Sequence, residues 1–322
     1  MTCKAYVDRE RTPLRGTLLA MVPRSHRLPN VDLKRALLAV AAAGVVSSCG
    51  GAAADDPSTE GRLDVAAAFY PYQFVAERVG GSEVTVTNLT KAGAEPHDVE
   101  LTAQQVAGLG EADLVVYSRG FQPVVDEAVD AQAKDQAYDV LTAVQLRVEP
   151  EGGKDPHVWL DPVRLGVIAV ELGDRLAERA PERAAGFRQR AAELQTELGT
   201  LDEQLRTGLR SCQRKQLVTS HDAYGYLAGA YGLEQVPIAG LSPDDEASPG
   251  RLAEIATQAR ADGVTTIFFE ELVSPKVSES LAREVGAKAT VLSALEGPPE
   301  SGDYLSAMQE NLTTLRTALS CS

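Results

Sequence analysis

The stretch that decides the architecture is Ala184–Leu209, AAGFRQRAAELQTELGTLDEQLRTGL. Its apolar residues recur every three or four positions, which places them on one stripe of a helix. At 1.5 Å per residue the predicted helix is about 39 Å long, enough to run the height of a lobe. The spacing also holds for about three heptads, so a coiled-coil segment is the alternative. We favour a rigid connector, because the segments on both sides have apolar faces that need cover. The stripe consists of Phe187, Ala191, Leu194, Leu198, Leu201, Leu205 and Leu209.

A second helix is predicted just before the long one. Asp161-Pro162 is a strong start signal, since aspartate caps a first turn well and proline is favoured at the first helical position. The run from Val163 to Arg179 has helical periodicity, and Pro181 ends it. We therefore assign residues 161–210 to linking helices.

Strand-like and helical segments alternate on both sides of these helices. Leu63–Phe69 begins the pattern in the first half, and Gln216–Thr219 begins it again in the second. Such alternation predicts parallel sheets covered by helices. The roughly 260 residues after the leader exceed the usual size of one hydrophobic core, which favours two lobes. The expected fold class is thus α/β, with a mainly parallel sheet flanked by helices in each lobe, at residues 63–160 and 211–322.

Residues 1–48 are predicted to be an export signal. Lys34 and Arg35 precede an alanine-rich apolar run, and small residues follow it, as in a secretory signal. The alternative, a transmembrane anchor, is disfavoured because the run has about eleven apolar residues where a span needs about 20. The cysteine after the small residues, Cys49, is similar to the lipidated cysteine of the bacterial lipobox, so we expect it to carry lipid and to become the amino terminus.

The extreme amino terminus and the segment after Cys49 are predicted to lie outside the fold. Residues 1–30 fit no signal design, and a translation start near Met21 or Val31 would give a leader of normal length. Residues 49–62 are mostly Ala, Asp, Pro, Ser, Thr and Gly, a composition typical of a flexible tether.

Charge and cysteine content restrict the function further. Without the leader the net charge is about −20, which disfavours nucleic-acid binding because phosphate contacts need a basic surface. After Cys49 only Cys212 and Cys321 remain, and an even pair in an exported chain predicts a disulfide. Two free buried thiols are the alternative.

Three of the four histidines, His97, His157 and His221, each follow what reads as a strand end. Imidazole is the commonest side-chain ligand for zinc, and three imidazoles with one carboxylate fill a tetrahedral shell. A single histidine in a loop is more often a surface or hydrogen-bonded residue. All three, however, occur in His-Asp or Pro-His-Val contexts, which favours a shared metal site.

Four blocks carry a resemblance to a known family: GAEPHDVE at 93–100, DPHVWLDP at 155–162, SHDAYGY at 220–226, and the closing segment 302–312. In order and spacing they resemble the metal-binding lipoproteins of bacterial zinc and manganese ABC importers, over about residues 63–319. The resemblance implies the metal-type periplasmic-binding-protein fold, in which one long backbone helix joins two lobes and the metal lies between them. It also implies that Zn²⁺ is a transported substrate rather than a cofactor of an enzyme.

The same resemblance implies the partners and the location. The protein would be an extracytoplasmic monomer, held by the lipid on Cys49 to the outer face of the bacterial cell membrane. It would deliver zinc to a membrane permease driven by a cytoplasmic ATPase. Because the linking helix is stiff, we expect the two lobes to close only modestly when metal binds. Metal affinity is expected to fall below a pH of about 6.5, the ordinary histidine pKa, because zinc binds neutral imidazole.

Carried over by position, the first three ligands of the family fall on His97, His157 and His221. Manganese members resemble this pattern with glutamate at the third position, so histidine favours zinc, in line with the preference of manganese for oxygen ligands. Manganese or another divalent metal remains the alternative. The aspartate that many members carry as fourth ligand is absent here, and Glu296 lies at the place of the glutamate that other zinc members use. Glu270, Glu271 or a water are the competing fourth ligands.

The residues beside the ligands are given supporting roles. Asp98 and Asp222 each follow a ligand and are expected to accept the ring N–H that does not face the metal, although a helix cap is the alternative for Asp222. Trp159 and Tyr224 are expected to pack against the cleft wall.

Two other functional classes remain open at this point. A zinc hydrolase would use three protein ligands and a water, but the chain has no H-E-x-x-H motif and no G-x-S-x-G elbow for a serine nucleophile. A metal-binding adhesin on the same scaffold is the second alternative.

Overall fold

Two four-stranded sheets organise the chain, and every strand pair in them is parallel. The computed structural model describes residues 61–148 and 153–322. The predicted export signal, the lipidation site Cys49 and residues 49–60 of the tether lie outside the described residues. The first sheet has the order β2-β1-β3-β4 and the second the order β6-β5-β7-β8, so the two halves repeat one topology. The predicted fold class is confirmed.

The strands are short, with three to five residues each. They are β1 Leu63–Ala67, β2 Val84–Asn88, β3 Leu114–Tyr117, β4 Ala137–Asp139, β5 Gln216–Thr219, β6 Glu234–Pro237, β7 Thr266–Phe269 and β8 Lys288–Val291. The helices are α1 Tyr70–Gly80, α2 Ala103–Glu111, α3 Pro123–Gln132, α4 Pro162–Arg179, α5 Ala184–Leu209, α6 Gly225–Tyr231, α7 Pro249–Ala261, α8 Lys276–Val285 and α9 Tyr304–Leu319. In the part of the chain that is described, no helix has the length and apolar character needed to cross a membrane.

The linking helices α4 and α5 follow the sequence prediction closely. The carboxylate of Asp161 accepts hydrogen bonds from the backbone N–H groups of Val163 and Arg164 and so caps α4. The two helices pack so tightly that a Cβ on Gly173 would lie 2.8 Å from the Cβ of Ala191. Helix α5 buries its whole predicted stripe and also contacts α1 of the first half and α9 of the second. It is therefore a connector within the chain rather than half of a coiled coil.

A disulfide joins Cys212 to Cys321, as predicted. It ties the start of the second half to the residues after α9. Backbone hydrogen bonds from Arg214 to Leu319 and from Ser322 to Ser211 run beside it. The carboxyl terminus is thereby fixed against the second half.

The topology also predicts where a ligand binds. In each sheet the chain reverses direction of winding between neighbouring strands, β1 and β3 in the first and β5 and β7 in the second. Open parallel sheets bind ligands in the crevice at the carboxyl ends of such strands. The loops that leave these ends are where the site is found.

Candidate metal centre

Four loops contribute the predicted ligands, two from each half of the chain. His97 lies between β2 and α2, and His157 lies between β4 and α4. His221 follows β5 by two residues, and Glu296 follows β8 by five. All four loops leave the carboxyl ends of parallel strands, so the topology alone brings residues up to 199 positions apart to one place.

The structure brings these four side chains together. One ligand atom from each lies within 4.8 Å of the others, a grouping that fits a metal ion. Oε1 of Glu296 lies 3.6 Å from Nε2 of His97, 3.7 Å from Nε2 of His221 and 4.0 Å from Nε2 of His157. Tetrahedral zinc with bonds of about 2.0 Å separates its ligand atoms by about 3.3 Å. The three distances from Glu296 exceed this value by about 0.3 to 0.7 Å, so the side chains would have to move closer together to complete such a shell.

The four converging atoms have no hydrogen-bond partner among the described residues. They are Nε2 of His97, His157 and His221, and Oε1 of Glu296, and all are buried. Unpaired buried polar atoms are rare because each loses its water without gaining a replacement bond. Three imidazole nitrogens and a carboxylate oxygen pointing at one spot form a suitable donor set for a divalent metal.

Two of the three rings are held by carboxylates behind them. Nδ1 of His157 donates to Asp155 at 2.9 Å, and Nδ1 of His221 donates to Glu270 at 2.8 Å. When the ring is neutral and carries its proton on Nδ1, the lone pair of Nε2 faces the centre of the cluster. Ser220 also donates to Glu270 and fixes that carboxylate in turn.

For His221, the carboxylate behind the ring is not the one predicted from the sequence. Glu270, not Asp222, takes the ring proton of His221. Asp98 is exposed, and its carboxyl group lies beside that of Asp244, which raises the pKa of Asp98. The sequence does hold a signal for Asp155, which stands two residues before His157 in Asp-Pro-His, and Glu270 directly follows strand β7.

Burial and charge set the protonation states around the cluster. Burial lowers the pKa of His97 to about 4 and that of His157 well below its ordinary value, so both rings are neutral at pH 7. Burial raises the pKa of Glu296 to about 8. For His221 burial acts to lower the pKa, but the nearby carboxylates, Glu270 first, outweigh it and raise the pKa to about 9. A metal must therefore displace protons in order to bind.

Two further acidic residues near the cluster have different surroundings. Glu271, a competing fourth ligand, is exposed and is not part of the cluster. Glu95, which sequence reasoning missed, has both carboxylate oxygens buried and without partners among the described residues. Burial and the neighbouring Glu296 raise the pKa of Glu95 to about 7. The interior of the site is therefore rich in carboxyl groups, which favours cations.

Comparison with known proteins agrees with this geometry. The family model described as "Zinc-uptake complex component A periplasmic" matches residues 65–318. The chain belongs to this family. The match covers both sheets, both linking helices and all four loops of the cluster.

The similar proteins cover most of this chain, but this chain covers different shares of their own lengths. The chain is 34% identical over 305 residues to the "High-affinity zinc uptake system protein ZnuA" of Bacillus subtilis, covering 88% of this chain and 94% of that protein. It is 32% identical to the "Zinc-binding lipoprotein AdcA" of Streptococcus pneumoniae, over 82% of this chain but only 57% of the relative, so it spans little more than half of that protein. The Zn(II)-bound ZnuA-like domain of the same streptococcal protein superimposes with a TM-score of 0.69 at 35% identity, covering 80% of this chain and 99% of that domain.

Proposed function

We propose that this protein captures Zn²⁺ outside the cytoplasm and delivers it to an ABC permease driven by a cytoplasmic ATPase. His97, His157, His221 and Glu296 are the proposed ligands. The observation that carries the proposal is the convergence of four unpartnered buried donor atoms from loops of both halves. Relatives named for zinc binding and for zinc uptake support the identity of the metal and the transport role.

The donor set favours zinc over manganese. Imidazole nitrogen suits zinc, whereas manganese prefers more oxygen ligands, and this cluster offers three nitrogens to one carboxylate oxygen. Asp155 and Glu270 each bond a ring through one oxygen, and neither residue belongs to the group of four whose ligand atoms converge.

The same donor set argues against a zinc hydrolase. A catalytic zinc keeps one position of its shell open for water or substrate, whereas four protein ligands close a tetrahedral shell. Four side chains already converge here.

Anchoring by lipid on Cys49, which would keep the protein at the cell surface, is part of the proposal and rests on the sequence motif.

The function is tested by metal analysis, growth and turnover. The purified protein should hold one zinc per chain by elemental analysis and should prefer zinc to manganese in competition. A strain that lacks the gene should grow poorly only when zinc is scarce, and the protein should not hydrolyse ester or peptide substrates. Absence of stoichiometric zinc would remove the basis of the proposal, and zinc-dependent turnover would favour the hydrolase.

Zinc affinity should depend on pH in a higher range than the sequence alone predicts. In the metal-free protein the pKa of Glu296 is about 8 and that of His221 about 9, so both hold protons at pH 7. Zinc binds only the deprotonated ligands, so binding releases protons and affinity rises with pH. We expect a gain of at least about tenfold per pH unit between pH 6 and 7.5, since each proton released contributes a factor of ten per unit.

Calorimetry in buffers of different ionisation enthalpy measures this release directly. At pH 7 the zinc titration should release at least one proton per ion. An affinity that changes only below a pH of about 6.5 would contradict the raised pKa values and restore the ordinary histidine range.

A further inference from the structure

Leu295, the residue directly before Glu296, has an unusual backbone conformation. Its φ is 57°, in the left-handed region that glycine adopts readily and a residue with a Cβ does not. Its side chain is 1% exposed, so it is held inside the protein. A strained backbone of this kind persists only where its surroundings fix it, and it is often found at functional sites.

Hydrogen bonds fix the loop immediately before Leu295. The indole Nε1–H of Trp159 donates to the backbone carbonyl of Ala294 at 2.8 Å. The side chain of Asn311, on α9, accepts from the backbone N–H of Ser293 at 2.9 Å and donates to its carbonyl at 2.8 Å. Three hydrogen bonds thus hold the two residues that precede the left-handed turn.

Trp159 is itself held in place by residues from both halves of the chain. It lies two residues after His157 and is fully buried. Its ring packs against Phe69 at 4.7 Å and Phe121 at 5.1 Å between centroids, both residues of the first half. The hydroxyl of Tyr304 donates to its backbone carbonyl at 2.6 Å. One side chain therefore connects the loop that carries His157 to the loop that carries Glu296.

We propose that Trp159 is a positioning residue for metal binding: its indole N–H holds the loop at Ala294, keeps Leu295 left-handed and so aims the Glu296 carboxylate at the three imidazoles. The inference rests on the proposed role of Glu296 as a ligand. It gives Trp159 a role beyond packing against the cleft wall. Because the loop is held before metal arrives, little ordering remains to be done on binding.

The test is a double-mutant cycle between Trp159 and Glu296. Trp159→Phe keeps an aromatic ring but removes the N–H donor, and we expect zinc affinity to fall about ten- to hundredfold, the range for partners behind metal ligands. In a Glu296→Ala background the same substitution should change affinity by less than about twofold, since the ligand it positions is gone. Cobalt-loaded Trp159→Phe should also show an altered visible spectrum, because that spectrum reports the ligand geometry.

The matched control is Tyr231→Phe. It removes one hydrogen bond, from the Tyr231 hydroxyl to Asp202, between α6 and α5. It should leave zinc affinity unchanged. If Glu296→Ala leaves affinity unchanged, the fourth ligand of the proposed function is wrong. If Glu296→Ala weakens binding but Trp159→Phe weakens it equally in both backgrounds, Trp159 does not act through Glu296 and the inference is overturned.

A second pair of variants keeps the inference testable if Trp159→Phe does not fold. Leu295→Gly and Leu295→Ala both remove the side chain, but only glycine adopts a φ of 57° without strain. Leu295→Gly should therefore have the higher Tm of the two and bind zinc more tightly than Leu295→Ala, because alanine is strained in the aimed conformation and tends to leave it. Equal or tighter zinc binding by Leu295→Ala would contradict the proposed positioning.

Discussion

Replacing His221 with alanine is expected to weaken zinc binding by about a hundredfold to a thousandfold. Zinc in four-ligand protein sites binds with about 10–16 kcal/mol, so each ligand contributes about 2.5–4 kcal/mol, and about 1.4 kcal/mol corresponds to a factor of ten. His221 is fully buried, and its Nε2 faces the cluster without another partner. Competition with a chromophoric zinc chelator measures the loss.

Two further variants show whether the loss of zinc affinity arises from the loss of a metal ligand. Glu271→Ala removes an exposed carboxylate near the site that is not part of the cluster, and it should leave zinc affinity unchanged. His221→Glu adds an oxygen ligand in place of a nitrogen, so it should shift preference from zinc towards manganese. A His221→Ala protein that binds zinc within about threefold of the wild type would exclude His221 as a ligand, because one lost ligand costs far more.

The linking helix was predictable because its signal is local. Its seven apolar residues repeat at helical spacing along one continuous segment, and α5 has the predicted bounds, Ala184–Leu209. The start of α4 was equally predictable, since the capping residue Asp161 and the proline after it are adjacent in sequence. Signals that lie within one segment need no knowledge of the tertiary fold.

Helix α3 and strand β4 each have a weak local signal. Strand β4 has three residues, of which only Tyr138 is buried, so no alternation can be read from it. Helix α3 has ten residues, and only Val125, Ala128 and Val129 are buried. The first sheet therefore gained its fourth strand only from the structure.

The site shows the same division between local and distant signals. The positions that converge were named from motifs, yet the carboxylate behind His221 was not, because Glu270 is 49 residues away and only the parallel pairing of β5 with β7 brings the two together. The adjacent residue Asp222 was the natural choice from sequence and was wrong. The hydrogen bond from Trp159 to Ala294 joins residues 135 positions apart, so it could not be predicted from the sequence for the same reason.

Removing the disulfide is expected to lower the free energy of unfolding by about 4 to 5 kcal/mol. The bond joins Cys212 and Cys321, which are 109 residues apart, and in the chain-entropy model a closed loop of that length restricts the unfolded chain by this amount. For a protein of this size the loss corresponds to a fall in Tm of about 10 °C or more. Guanidinium unfolding of the Cys212→Ser/Cys321→Ser variant against the wild type measures the change. Added reductant should destabilise the wild type and leave the variant unaffected, and a loss below about 1 kcal/mol would contradict the model.

The denaturant slope and zinc affinity together identify which state the bond acts on. A cross-linked unfolded chain is more compact and exposes less surface, so the m value should rise when the bond is removed. The bond lies beyond the end of α9, after the turns that hold Asn311 and the Glu296 loop, so native zinc affinity should be unchanged. If zinc affinity falls while the m value stays constant, the bond instead supports the native site through α9, and the loss of stability arises in the folded protein.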